Sequence, residues 1–335
     1  MSSFKEMYAG ARNPPADPKT LSFKNKAVLV TGANSGLGHQ AAIKYAAAGA
    51  SPLILGVRTR EKGEQARAAI LRATSCDPGV LVIETVDLAT LASVRAFAGR
   101  VAKRCPVLHV VQLAAGVAMF DYVKSPDGFE MTLQVNVLST ALMALLLLPS
   151  VSAAAAASSP DSPDKNDAHP HISFLSSQAA FEVKAEAVPP GQSLIQRLNN
   201  QAKFDNQQQY FLIKLASWAV MQGVLERSRD NGSSSGIVVN ASCPGLCKTN
   251  MTREFPLVHR IIMQGTYALV GRSAEEGSRS MVSATGLGPE SSGKLWRNDG
   301  FSPLSPLLSS PRGTELVHET WDEIMSILRK YVQDI

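Results

Sequence analysis

The sequence is poor in cysteine, in histidine and in runs of like charge, and each shortage removes a class of function. Its four cysteines, Cys76, Cys105, Cys243 and Cys247, form neither a Cys-x-x-Cys pair nor the dense spacing of a secreted disulfide framework. A reducing, cytoplasmic compartment is the expectation. Of the six histidines only His169 and His171 lie close together, with no acidic or cysteine partner at ligand spacing, so no metal site is expected. The net charge is +5 and the pI about 9.0, yet the Lys and Arg residues are scattered and make no run of five. That scatter argues against nucleic acid as a partner.

Long apolar runs are missing too. Met1 to Thr20 is polar and carries Pro14, Pro15 and Pro18, so it lacks the core of a signal peptide and residues 1–23 read as a flexible N-terminal arm. The most apolar stretch, Val137 to Leu148, holds 12 residues, short of the ~20 that a spanning helix needs. No membrane span is expected. This stretch reads as a buried helix, either in the core or at the interface of a homo-oligomer.

What is present is alternation, on a 45% hydrophobic background that can bury one substantial core. Short β-branched or leucine-rich runs at Ala27–Val30, Pro52–Val57, Val80–Val86, Val107–Leu113, Ile172–Leu175, Gly236–Ala241 and Gly293–Arg297 are separated by longer segments of helical period. The pattern predicts an α/β domain over 24–297, a Rossmann-like doubly wound parallel sheet of about seven strands with helices on both faces. Residues 298–335 read as an extension closed by an amphipathic helix, Trp321 to Tyr331. Residues 151–170, rich in Ala, Ser, Pro and Asp, read as a low-complexity surface insertion.

After the first run comes Thr31-Gly32-Ala33-Asn34-Ser35-Gly36-Leu37-Gly38 and then an Ala-rich helical segment. Strand, glycine turn and helix together form a phosphate cradle, because glycines let a pyrophosphate approach the backbone at a helix N-terminus. The spacing Thr-Gly-x-x-x-Gly-x-Gly resembles the fingerprint of the short-chain dehydrogenase/reductase family. Further matches follow in order across about Lys24 to Arg297. The segments starting at Asp87-Leu88 and at Arg272-Ser273 resemble the retinol-dehydrogenase-like branch, especially its fungal members in secondary metabolism.

The resemblance implies roles residue by residue. Gly32, Asn34, Ser35, Gly36, Leu37 and Gly38 would hold the cofactor's phosphates, and Asp87 with Leu88 its adenine; Asp87 also reads as a helix cap. Pro244, Gly245 and Thr249 would wall the nicotinamide. Tyr210 and Lys214, one helical turn apart, would supply the proton and the cation that lowers the phenol pKa from ~10, both also touching the cofactor. Ser177 would polarise a carbonyl, and Asn136 would anchor a water of the proton relay. At the end of the second strand Leu55-Gly56-Val57-Arg58 carries no carboxylate before Glu61. A guanidinium there suits a 2′-phosphate, which selects NADP(H), with Arg58 first and Arg60 and Ser35 as helpers.

Three departures from the family stand out: Leu113-Ala114-Ala115-Gly116 in place of Asn-Asn-Ala-Gly, Ile213 before the lysine, and 33 positions between Ser177 and Tyr210. The expected activity is hydride transfer between NADP(H) and a small carbonyl or alcohol, a ketoreduction of a hydrophobic molecule. Phe255, Leu257, Ile261, Ile262 and Met263 hint at such a ligand. The alternative is a family member in a non-redox role, as a cyclisation or isomerisation catalyst or a scaffold.

Overall fold

The structure is a computed structural model describing residues 4–157, 169–230, 236–333 and 335. The expected runs form β1 (Val28–Thr31), β2 (Leu53–Val57), β3 (Leu81–Thr85), β4 (Val110–Leu113), β5 (His171–Leu175), β6 (Val238–Ser242) and β7 (Leu295–Arg297). A short β8 (Gly300–Phe301) turns back antiparallel to β7 through Asn298 and Asp299, whose φ angles of 50° and 58° suit a two-residue hairpin. The sheet order is β3-β2-β1-β4-β5-β6-β7-β8, with β1 to β7 parallel. The eighth strand lies past residue 297, so the sheet itself runs into the C-terminal extension.

Helices α1 (Phe4–Arg12), α2 (Gly36–Ala47), α3 (Arg60–Thr74), α4 (Leu91–Arg104), α5 (Met131–Leu133) and α6 (Ser139–Ala157) precede β5. After it come α7 (Leu194–Leu198), α8 (Asn206–Asp230), α9 (Leu257–Val270), α10 (Ala274–Ala284) and α11 (Pro311–Leu328). Strand side chains alternate between two layers. Val28 and Val30 pack with α2 and α10, around Tyr45 and Met281. Leu29, Ile54, Val111 and Val239 face α4, α6 and α8, around Phe97, Leu142 and Trp218. Leaving β1 the chain builds β2 and β3 on one side, then crosses back to β4 on the other. That reversal opens a crevice beyond the C-terminal ends of β1 and β4.

Two sequence expectations need correction here. The apolar helix is not 12 residues long: α5 continues through a π-helical turn, Gln134–Leu138, into α6, giving Met131–Ala157, long and apolar enough by length and composition to cross a membrane. The fold buries 72% of its most apolar window, between the sheet, α4 and α8. It is core. Residues 151–157 of the supposed insertion belong to this helix, with Ala154 only 1% exposed, because alanine is the best helix former and needs no bulk to pack. Positions 158–168 of that stretch, and 1–3 of the arm, lie outside the described residues.

The rest of the arm is tied down by distant partners rather than by its own sequence. Arg279 donates to Pro15 O at 3.1 Å, Lys44 pairs with Asp17 at 3.0 Å, and Ala16 N donates to Asp299 at 2.8 Å. Arg272 caps the end of α1 by donating to Gly10 O and Asn13 O. At the other terminus α11 buries Leu316, Trp321 and Ile324 against the core that α8 builds.

Candidate active site

A cleft of about 370 Å³ occupies the crevice. Its floor is backbone. Gly32 leaves β1 with φ +69°, and a Cβ there would stand 3.0 Å from Ala115 Cα. At Gly38 a Cβ would lie 2.6 Å from Gly32 O, so only glycine lets the first turn of α2 press onto the strand end. Asn34, Ser35, Gly36 and Leu37 complete this wall, and the Ser35 side chain makes no capping bond. The cradle therefore fits a phosphate-bearing dinucleotide: close backbone, open helix N–H groups and no side chain in the way.

Arg58 lies exposed at the end of β2, also lining the cleft, and no carboxylate pairs with it among the described residues. Lys62 joins it on the first turn of α3, a residue that sequence reasoning missed. Arg60 is not a helper. It points along α3 to Glu64 at 3.2 Å, because position 60 starts the helix and its i+4 neighbour is a carboxylate. Asp87 and Leu88 line the opposite side, with Asp87 accepting from Ala89 N at 3.0 Å. Thr90, not Asp87, caps α4.

At the other end Tyr210 and Lys214 share one face of α8, with Lys214 Nζ 5.9 Å from the phenol ring centre. Lys214 donates to Leu175 O at 3.4 Å, and burial pulls its pKa down to about 8. Burial pushes the Tyr210 phenol up to about 12, opposed by a hydrogen bond with Ser177. The sequence reading expects Lys214 to lower the phenol; instead desolvation raises it, and the opposing influence comes from Ser177. A phenol of pKa ~10 is protonated at neutral pH, and burial favours that form further at Tyr210.

Ser177 starts the turn Gln178–Glu182, its hydroxyl accepting from Ala179 N at 3.2 Å. Neighbouring Ser176 lines the cleft with a buried hydroxyl that has no hydrogen-bond partner among the described residues. Asn136 sits in the π turn, where its amide pairs with the Val117 backbone: Nδ2 donates to Val117 O at 2.8 Å and Oδ1 accepts from Val117 N at 2.9 Å. Its main-chain carbonyl also takes a long 3.4 Å bond from the Ser217 hydroxyl.

Thr31 accounts for the missing asparagines, its hydroxyl accepting from Ala114 N at 2.9 Å and Ala115 N at 3.0 Å. Ile213 is fully buried core. The 33 positions after Ser177 fold into short turns and α7, which bury Phe181 against Trp218 and sink Leu194, Ile195 and Leu198. Thr249 lines the cleft opposite Gly36, but Pro244 and Gly245 do not. Instead Pro244 O accepts from buried Arg272 at 3.2 Å, and Arg272 N donates to Leu246 O at 2.8 Å, so one guanidinium joins α1 to the loop carrying Thr249. The sequence marks Arg272 only as part of a family-like segment and not for this role, for its partners at Gly10 and Asn13 are some 260 positions away. Phe255 meets Phe120 edge to face, while Leu257, Ile261 and Ile262 point to solvent rather than into the cleft.

A phosphate cradle at a switch point, joined to a Ser-Tyr-Lys cluster, defines the class: a dinucleotide-dependent oxidoreductase. The profile of the short chain dehydrogenase family matches residues 26–158. Over 334 residues the chain is 39% identical to the short-chain dehydrogenase/reductase ffsI of Aspergillus flavipes, covering 100% of this chain and 94% of that protein. It is 37% identical to phmF of Phaeosphaeria nodorum, another short-chain dehydrogenase/reductase, covering 96% and 92%. The chain belongs to the short-chain dehydrogenase/reductase family, and its fungal relatives agree with the resemblance read from the motifs. Among solved structures, L-sorbose reductase from Gluconobacter frateurii, complexed with NADPH and L-sorbose, shares the fold at TM-score 0.60 and 17% identity, covering 84% of this chain and 97% of that one. A short chain dehydrogenase of Shigella flexneri complexed with NADP does so at 0.55 and 22%, covering 83% and 98%.

Proposed function

We propose that the chain is an NADP(H)-dependent ketoreductase of fungal secondary metabolism, acting on a small hydrophobic carbonyl compound in the cytoplasm. The carrying observation is the Tyr210 phenol, bonded to Ser177 and one turn from Lys214, in a cleft whose far end presents Arg58 and Lys62, neither paired with a carboxylate among the described residues. When bound, NADPH supplies the hydride. Arg58 and Lys62 would hold its 2′-phosphate, the Gly32 to Gly38 turn its pyrophosphate, and Lys214 its ribose. Ser177 then donates to the carbonyl oxygen, Tyr210 passes its proton to that oxygen, and a water at Asn136 reconnects the site to solvent.

Support comes also from the family and from the two neighbours whose structures contain NADP or NADPH. Met119, Val117 and Met251 on the cleft wall favour an apolar substrate. The main argument for a non-redox role was the Leu113-Ala114 segment, and Thr31 holds that backbone in place. The test is transfer of label: NADPH deuterated at C4, incubated with the protein and a panel of aromatic and alicyclic ketones. Deuterium at the new carbinol carbon is expected, with NADH a poor donor; no label in any product, with NADPH bound, would reject the reading.

A further inference from the structure

The outer face of α9 is the least explained surface of the molecule. Leu257, Val258, Ile261, Ile262 and Leu269 are 67, 65, 58, 61 and 66% exposed. At about 100° per residue they fall, with exposed Gly265 and Ala268, on a single arc of about 140° that contains no polar side chain. Tyr267 and Val270 turn inward and anchor the helix. An unbroken apolar face of this width, turned away from the fold, is an interaction surface.

Charge identifies what covers it. From Phe255 to Ala274 there is no Asp or Glu. Exposed cations lie near the helix in the chain or in the packing: Arg260 on it, Arg253 just before it, Lys248 in the loop bonded to Arg272, and Arg12 on α1, which packs against α9. The nearest described carboxylate in sequence, Glu254, is paired with Arg253 at 3.1 Å. A second copy of the chain would bring a second face with the same cations and no carboxylate between Phe255 and Ala274, whereas an anionic lipid surface offers apolar depth and opposite charge together. We infer that α9 is a membrane-surface anchor, lying in the interface of an anionic bilayer with its apolar arc among the acyl chains. Arg253 and Glu254 line the cleft, and Phe255 and His259 pack on Phe120. Docking through α9 therefore sets the mouth of the cleft at the lipid surface. The inference does not depend on the reaction.

Flotation of the full chain with vesicles tests it. With vesicles of about 70:30 phosphatidylcholine to phosphatidylserine the protein should float, and several-fold less should float with phosphatidylcholine alone or at high salt. The double change Ile261→Ser and Ile262→Ser should cut the bound fraction by about tenfold while melting temperature and NADPH binding stay unchanged. If that variant folds poorly, Leu269→Cys labelled with a polarity-sensitive dye serves instead, and its emission should shift to the blue on the anionic vesicles. No flotation with anionic vesicles, flotation untouched by the double change, or no shift from the dye would each overturn the proposal. So would a wild-type dimer that the double change splits into monomers, which would make α9 an interface between copies.

Discussion

The two halves of the cleft are built from different materials. The cofactor half is backbone: strand ends buried at every position, a glycine turn, and a helix start pressed within 2.6 Å of any added Cβ. The substrate half is side chains, among them Met119, Tyr210, Trp218, Met251, Arg253 and Glu254, and the chain runs on from it into α9, most of whose surface is exposed. Backbone geometry tolerates no substitution at its closest contacts and little variation in ligand. Side-chain geometry can be rebuilt residue by residue, so one half fixes the reaction while the other is free to set the substrate.

The contrast breaks or holds most visibly with one matched pair of glycines. Gly38→Ala drives a Cβ into Gly32 O, while Gly265→Ala on α9 meets nothing within 4 Å. The first should weaken NADPH by about 3 kcal/mol or more and lower the melting temperature; the second should leave affinity alone and gain up to about 1 kcal/mol of helix stability. Fluorescence titration and thermal melts read both. Similar losses from the two would mean that the halves are not built differently.

Arg58→Ala should come next in size, costing NADPH about 1.5 to 3 kcal/mol and NADH almost nothing, since it removes one charged contact to a phosphate that only NADPH carries. Equal losses in parallel titrations would give Arg58 a structural role.

The pH dependence of binding is the smallest effect. Burial holds the Lys214 pKa at about 8 in the free protein. An anionic cofactor favours the ammonium and raises that value, so above pH about 8 binding takes up a proton. NADPH affinity should be level below pH about 8 and fall, by less than about tenfold per unit, as pH rises toward the bound value. Lys214→Arg, which stays charged, should flatten the curve.

The same contrast decides what the sequence could reveal. The cofactor half was legible because its signals are local: a β run, glycines at fixed spacing, an Ala-rich helix, and a missing carboxylate after Val57. The α/β sheet was legible for the same reason, down to its seventh strand. Non-local features were not. The arm carrying Pro14 and Pro15 looked loose because nothing near it in sequence anchors it; Arg272, Arg279 and Lys44 do. Ile261 and Ile262 looked like ligand contacts, since helical period shows that a face is apolar but not which way it points. The raised Tyr210 pKa was equally hidden, because spacing places Lys214 near the phenol but says nothing of the burial around both.

The central claim is that Tyr210 delivers the proton while the cofactor half binds independently of it, and Tyr210→Phe tests this most directly. NADPH should bind within about twofold of wild type, and deuterium transfer to a ketone that the wild type reduces should fall by about 10²- to 10⁴-fold. Product formation near the wild-type rate, with NADPH bound as before, would contradict the account and remove Tyr210 as the acid.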